Sequence, residues 1–273
     1  DSPAALGMTV RRFHEKMHAR QSSNPLSLNA TATHDTKRGE DARVRINVLS
    51  RIPEAWKEKV RQWFQINHPF RTSVNGRTVP EVNDEYFIYQ SMLGGFPEDF
   101  QVKEEWVKRV QAYLNKALRE AKVNTNWSDP DEEYEKACEH FIEQILNKDH
   151  GFLASFVPFV RTVFDHAMVY SLTQTLIKLT APGIPDIYQG CELWDLSFVD
   201  PDNRRPVDYE KRMQFLFQLV VKEQKGSDAV FDYLAEHRSE GIEKLYIIWK
   251  VLTLRKQRPV LFTEGSYLPL VIT

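Results

Sequence analysis

Apolar positions recur along most of this chain at the three- and four-residue spacing of helices. The pattern predicts a helix from Ala4 to about Arg20 and a second from Lys37 to Ser50, where Val44 and Val48 stand at i, i+4. Pro53 suits the first position of a third helix, whose stripe is Trp56, Val60, Trp63 and Phe64. The run "HPFRTSVNGRTVPEVN" reads as a loop, rich in turn formers. Asn83 is placed to cap the helix "DEYFIYQSML", which ends at Gly94-Gly95. A long helix with a charged outer face is expected over Asp99–Val123. Another opens with Asp129 as N-cap and Pro130 at its first position.

Phe152 to Leu179 is apolar nearly all round, the mark of a buried helix, and Pro158 predicts a break or kink near its start. Two further amphipathic helices are expected over Asp208–Lys225 and Ile242–Gln257. Strand signals are few: Leu26–Thr31, Ile184–Tyr188 and the terminal "SYLPLVIT". The fold class expected is mainly α, with a few short strands. Both inner strand candidates end in a chemically dense loop. Leu26–Thr31 runs into His34-Asp35, and Ile184–Tyr188 runs into "QGCELWDLSFVDPDNRRPVDY". Functional residues at the C-terminal ends of strands are the habit of α/β barrels.

Composition narrows the picture in three respects. The formal net charge is -2, which exerts no overall pull toward nucleic acid or an anionic membrane, so neither is expected as a partner. Charge is uneven, with ten basic against four acidic residues over 37–77 and eight against sixteen over 81–149. That unevenness reads as solvated helix faces. Cys138 and Cys191 have no zinc-ligand spacing, and His140, His150 and His166 are scattered, so no metal or other cofactor is expected. Two unpaired thiols suit a cytoplasmic protein. No run approaches 18 apolar residues, so no membrane span is expected, and the first residues do not read as a signal peptide.

The segments "ATATHDTKRGEDARVRINVLS", "NDEYFIYQSMLGGFP" and "PGIPDIYQGCELWDLSFVDPDNRRPVDY" resemble the trehalose-forming branch of the α-amylase superfamily of glycoside hydrolases. The resemblance runs from Phe13 to the end. It implies that 1–36 holds the seventh strand of a (β/α)8 barrel with its catalytic loop, and 37–180 a large helical insertion. On the same basis 181–257 holds the eighth strand and following helices, and 258–273 the start of a β-domain. It implies that Asp35 is the third catalytic carboxylate and that His34 holds a sugar hydroxyl. Lys37, Arg38, Tyr188, Asp202, Asn203 and Arg204 become candidate substrate contacts, as does Glu85, beside Tyr89 on the "DEYFIYQ" helix.

The implied reaction moves the reducing-end α-1,4 bond of a maltooligosaccharide to an α,α-1,1 bond, within a pocket that the helical insertion helps to wall. A whole barrel needs roughly 250 residues and eight βα units. No match to the superfamily's nucleophile or acid is present, so the chain alone is expected to be inactive. Two readings from other classes stand beside this one. A His-Asp doublet also occurs in metal phosphohydrolases of the HD type, and a helical module could bind glucan without catalysis.

Overall fold

The computed structural model describes residues 7–270. The chain is mainly helical and divides into two compact units. One comprises residues 7–33, Leu172–Leu193 and 208–270, and the other His34–Ser171 and Trp194–Val207. The expected boundary at residue 180 therefore falls nine residues later than the observed one, and the loop 194–207 folds with the helical block.

The first unit holds α1 (Val10–Ser23), β1 (Leu28–Ala30), β4 (Ile184–Asp186), α8 (Tyr209–Glu223), α9 (Ser227–Glu236), α10 (Ile242–Gln257) and α11 (Pro259–Thr263). Strands β1 and β4 pair in parallel, with Leu28 opposite Ile184 and Ala30 opposite Asp186. Asn29 joins this pair to the chain entering β4, donating its amide to the Pro182 carbonyl at 3.2 Å. Buried Lys178 donates to Thr31 Oγ1 at 2.8 Å, just past β1. A small core gathers Phe215, Leu219, Val230, Leu234, Ile242 and Leu245.

The second unit contains α2 (Glu40–Val48), α3 (Pro53–Asn67), a hairpin of β2 (Thr72–Val74) and β3 (Arg77–Val79), α4 (Val82–Gly95), α5 (Glu104–Ala121) and α6 (Glu132–Ile145). The first part of α7 (Phe152–Thr180) belongs to it as well. Its core centres on Trp63, which has no exposed surface and meets Trp56, Tyr89, Phe152, Phe156 and Phe159 at ring separations of 5.1–5.7 Å. The expected stripe Trp56, Val60, Trp63 is buried, with Phe64 packed against it.

Several expectations need correcting. Helix α1 starts at Val10, capped by the Thr9 side chain, and the expected start at Ala4 lies outside the described residues. The supposed loop at 68–83 contains the β2–β3 hairpin. Its turn is Asn75-Gly76, both at positive φ, as a two-residue hairpin turn requires. Helix α4 begins at Val82 with Glu81 as N-cap, so Asn83 is not the cap. Asp131, not Asp129, caps α6 by accepting from the Tyr134 N–H. Helix α5 begins at Glu104, because Asp99 accepts from the Gln101 N–H and Phe100 takes a positive φ, a turn that cannot be helical.

Helix α7 runs unbroken through Pro158 and is not buried on all sides: Ala154, Pro158, Arg161 and Thr162 are exposed in its first half, and Val169, Tyr170, Leu176 and Ile177 in its second. By length and composition α7 could cross a membrane, a test that buried core helices also pass. Residues 266–270 of "SYLPLVIT" form no strand; Tyr267 instead bonds His14 and Gln21 of α1 through its phenol and its N–H. Its last three residues lie outside the described set. Helices α9 and α11 were not expected.

Candidate functional site

The doublet that drew attention in the sequence sits at the start of the second unit. The His34 Nε2 and Asp35 Oδ2 atoms lie 3.1 Å apart, and both side chains are largely exposed, 54% and 83%. An exposed imidazole and carboxylate in contact are free to be approached by a polar ligand. The backbone beneath them is fixed from elsewhere: Asn203 Nδ2 donates to the His34 carbonyl oxygen at 2.9 Å.

That bond is the first of a row of stitches between the loop after β1 and the loop after β4. Arg38 and Phe198 form an antiparallel bridge, and the Gly39 N–H donates to the Ser197 carbonyl at 2.8 Å. Helix α2 starts at Glu40, not at Lys37, because residues 38–39 are committed to this bridge. Asp195 then serves the exposed amides of its first turn. Its carboxylate accepts from the Glu40 N–H at 3.2 Å, and its carbonyl from those of Asp41 and Ala42. Asp41 returns the bond, accepting from the Asp195 N–H at 2.7 Å. Gly39 is required by this closeness, since a Cβ there would meet Asp195 at 2.5 Å.

One face of α5 receives both loops. Arg109, Tyr113, Lys116 and Glu120 follow one another at spacings of four, three and four, which places them on one side of the helix. Arg109 binds Asp202 with two bonds, 2.6 and 2.9 Å, and Lys116 donates to the Asp200 carbonyl. Tyr113 stacks on Phe198 at 4.6 Å. Glu120 accepts from Lys37 Nζ at 2.9 Å. None of these four was picked out from sequence. The signal was the polar stripe itself, at positions where a helix turns toward its neighbours instead of outward.

The sequence candidates now separate. Lys37 and Arg38 flank a cavity of about 370 Å³, and Asp202 and Arg204 a second of about 560 Å³, with Tyr113 and Val199 in the walls of both. Arg38 is held over the Phe87 and Tyr113 rings and donates to Ser91 Oγ at 3.2 Å. Asp202 is nearly buried. Burial would raise its carboxyl, but the Arg109 bonds, with the Phe198 N–H and Arg205, hold it below the usual carboxylate range. Its role in this structure is to fix the loop. Arg204 pairs with Asp200 at 2.7 Å and remains half exposed. Tyr188 belongs to the first unit, half-buried, its carbonyl accepting from the Cys191 N–H.

Glu85 is a correction. Its side chain is fully buried, paired with Arg71 at 2.7 Å and accepting from the Tyr89 hydroxyl, which in turn accepts from Asn67. Burial pushes the Glu85 carboxyl above its ordinary value despite these bonds. A group with no exposed surface holds the hairpin segment against α4 and offers nothing to a substrate. Among the described residues, no three His, Cys, Asp or Glu are grouped so as to hold a metal ion, and Cys138 and Cys191 are buried and not joined in a disulfide.

No family model matches the chain. A Mycobacterium tuberculosis (strain H37Rv) protein, named as a maltooligosyl trehalose synthase, is 34% identical over 268 residues, which is 98% of this chain and 31% of that protein. A crystal structure of a maltooligosyl trehalose synthase superposes with a TM-score of 0.83 at 34% identity, covering all of this chain and 35% of that one. The Arthrobacter ramosus maltooligosyltrehalose synthase gives 0.74 at 29% identity, covering 95% of this chain and 31% of its own. Its relatives are maltooligosyl trehalose synthases. The chain spans about a third of the length of the synthases it matches, over nearly its whole extent. That likeness takes in both stitched loops and the α5 face of the synthase-like fold.

Proposed function

We propose that this chain supplies one wall of the active site of a maltooligosyl trehalose synthase. It carries the third carboxylate of the reaction, while the nucleophile and the acid come from chain outside these 273 residues. The observation that carries this reading is the meeting of the two loops that follow parallel strands. The His34-Asp35 loop and the Asp202-Asn203 loop are joined by Asn203 and by the Arg38–Phe198 bridge. The parallel pairing of β1 with β4 fits two neighbouring strands of a barrel, whose functional loops lie at the C-terminal ends.

In this reading a glycosyl–enzyme carrying the rest of the oligosaccharide forms when one carboxylate attacks the anomeric carbon and another protonates the leaving oxygen of the reducing-end glucose. Asp35 bonds sugar hydroxyls next to the reacting carbon, and those bonds strengthen as positive charge develops there. His34 holds a neighbouring hydroxyl, with its backbone fixed by Asn203. The released glucose stays bound and attacks through its own anomeric hydroxyl, giving the α,α-1,1 bond. Water must be kept out for transfer to beat hydrolysis, and the helical block beside the His34-Asp35 loop suits that task.

The test is Asp35→Asn in the full-length protein that carries this chain, with maltopentaose as substrate and proton NMR of the anomeric signals as readout. Loss of a preorganised partner of this kind costs on the order of 10²–10³ in kcat. Wild-type turnover in that variant would overturn the assignment. The 273-residue chain by itself should make no trehalose-ended product, and its appearance would overturn the placing of the other two carboxylates elsewhere.

A further inference from the structure

Helix α5 is held in place by its own core face. Trp106, Val110, Leu114 and Leu118 are buried in the core of the second unit, so the polar stripe beside them has a set place. Arg109 and Glu120 lie eleven residues apart on that stripe, about 16 Å along the helix axis. Tyr113 stands between them. By separate routes, all three reach the short segment that carries Asp35. Arg109 acts through the loop after β4: it holds the Asp202 carboxylate with two bonds, and the next residue, Asn203, donates to the His34 carbonyl. Tyr113 acts through Phe198, on which it stacks and which bridges Arg38. Glu120 acts directly, accepting from Lys37 Nζ at 2.9 Å.

The anchored residues are therefore His34, Lys37 and Arg38, and Asp35 stands among them. Singly these ties are modest. The Lys37–Glu120 pair is exposed, and such a pair contributes about 0–1 kcal/mol. Their strength is a common base. Points fixed to one helix cannot drift relative to one another, and a carboxylate between them inherits their geometry. We propose that Arg109 and Glu120 are positioning residues for Asp35, holding its loop at two points from one face of α5 and so setting how far transfer outruns hydrolysis. The inference rests on the synthase reading, in which Asp35 bonds the sugar and water must be kept from the reacting carbon. Placement matters steeply there, since a misplacement of about 1 Å can cost about 10²-fold in rate. A loosened loop holds the retained glucose less well, and water takes a larger share of the turnovers.

The experiment uses the full-length protein that carries this chain, with Arg109→Lys, Glu120→Gln and the double variant. Lysine keeps the charge at 109 but loses the two-bond fork, and neither substitution touches the core face of α5. One readout is amide exchange at residues 34–37 by mass spectrometry. The other is the ratio of hydrolysed to transferred product from maltopentaose, by proton NMR. Each single variant should raise that ratio about twofold, the worth of one modest ion pair. The double should raise it roughly tenfold, beyond the product of the singles, because either anchor alone still holds the loop. Exchange should quicken in the same order. Loss of folded protein would lower turnover and leave the ratio as it was, so the ratio separates positioning from stability. Exchange is read without turnover, which keeps the two failures apart. Wild-type turnover in Asp35→Asn would sink the synthase reading, whereas unchanged exchange in the double variant would overturn this inference alone. A wild-type product ratio in the double variant, or single effects that simply multiply, would overturn it as well.

Discussion

Asn203 donates its side-chain amide to the His34 carbonyl oxygen at 2.9 Å, so the residue beside the catalytic candidate is held by a loop that lies far away in sequence. The bond is to backbone, and it therefore sets where the His34-Asp35 pair stands without touching either side chain. Asn203→Ala should cost about 1 kcal/mol in unfolding free energy. It should also raise amide exchange at residues 33–37 more than elsewhere, measured by mass spectrometry. Equal exchange in both proteins would show that the loop is held by other means.

The Arg109–Asp202 pair predicts an asymmetric mutational response. Arg109→Met removes the bidentate partner of a nearly buried carboxylate, which keeps Arg205 at 3.1 Å and the Phe198 N–H, and should cost about 1.5–3 kcal/mol. Asp202→Asn keeps an acceptor for the Phe198 N–H and removes the charge to be buried, so it should cost less. Denaturant titrations of both variants check the order. The pair also sets an acid limit. Asp202 has a folded pKa below its unfolded value of about 3.9, so its contribution is fully present above that value. As pH falls through the lower, folded value it is lost, and the midpoint difference between wild type and Asp202→Asn should shrink there.

Gly39→Ala tests the seam between the loops. The new Cβ would meet the Asp195 carboxylate and carbonyl at 2.5 Å, and the carbonyl cannot move without releasing the first turn of α2. The glycine is at ordinary negative φ, so the effect is crowding and not backbone strain. A cost of about 1–3 kcal/mol is expected. A thermal midpoint equal to wild type would mean that the loops separate easily.

Glu85→Gln tests a structural role against a substrate-contacting one. It leaves Arg71 without its anion and should lower stability, while, on the proposed synthase reading, KM for maltooligosaccharides in the full-length protein stays unchanged. The sign of the pH effect is opposite to that of Asp202. Burial raises the folded pKa of Glu85, so its folded form binds protons more tightly. Stability from this group therefore falls as pH rises from the unfolded value of about 4.3 through the folded one. The Gln variant should lack that slope in a pH series of melting curves.

Much of this arrangement is legible in the chain itself. His34-Asp35 after a short apolar run, and "DPDNRRP" after another, mark two strand ends, and β1 and β4 do pair. What the pattern hides is local competition for backbone amides. Asn126 Oδ1 accepts from the N–H groups of Ser128 and Asp129, and that turn delays α6 until Asp131. For α2 the competitor comes from across the fold: the Arg38–Phe198 bridge holds residues 38–39 out of the helix and Asp195 takes the amides of its first turn, and no window on the sequence contains both partners. The α5 stripe was visible as Arg109, Tyr113, Lys116 and Glu120, but periodicity alone does not say whether a polar face meets water or another loop. The Asn75-Gly76 hairpin, by contrast, carries its own turn signature, but its flanking strands of three residues are too short for an alternating pattern to show.

The pairing of Leu28 with Ile184 has a kinetic meaning. Contacts between residues so distant along the chain slow folding, because the intervening segment must be closed before they form. Here that segment is itself a set of helices built from local contacts, able to form early. Once the Arg38–Phe198 bridge has closed it, the two strands have only short tethers left to bring together. The folding order would then run from the helical block outward, with the strand pair as its last step.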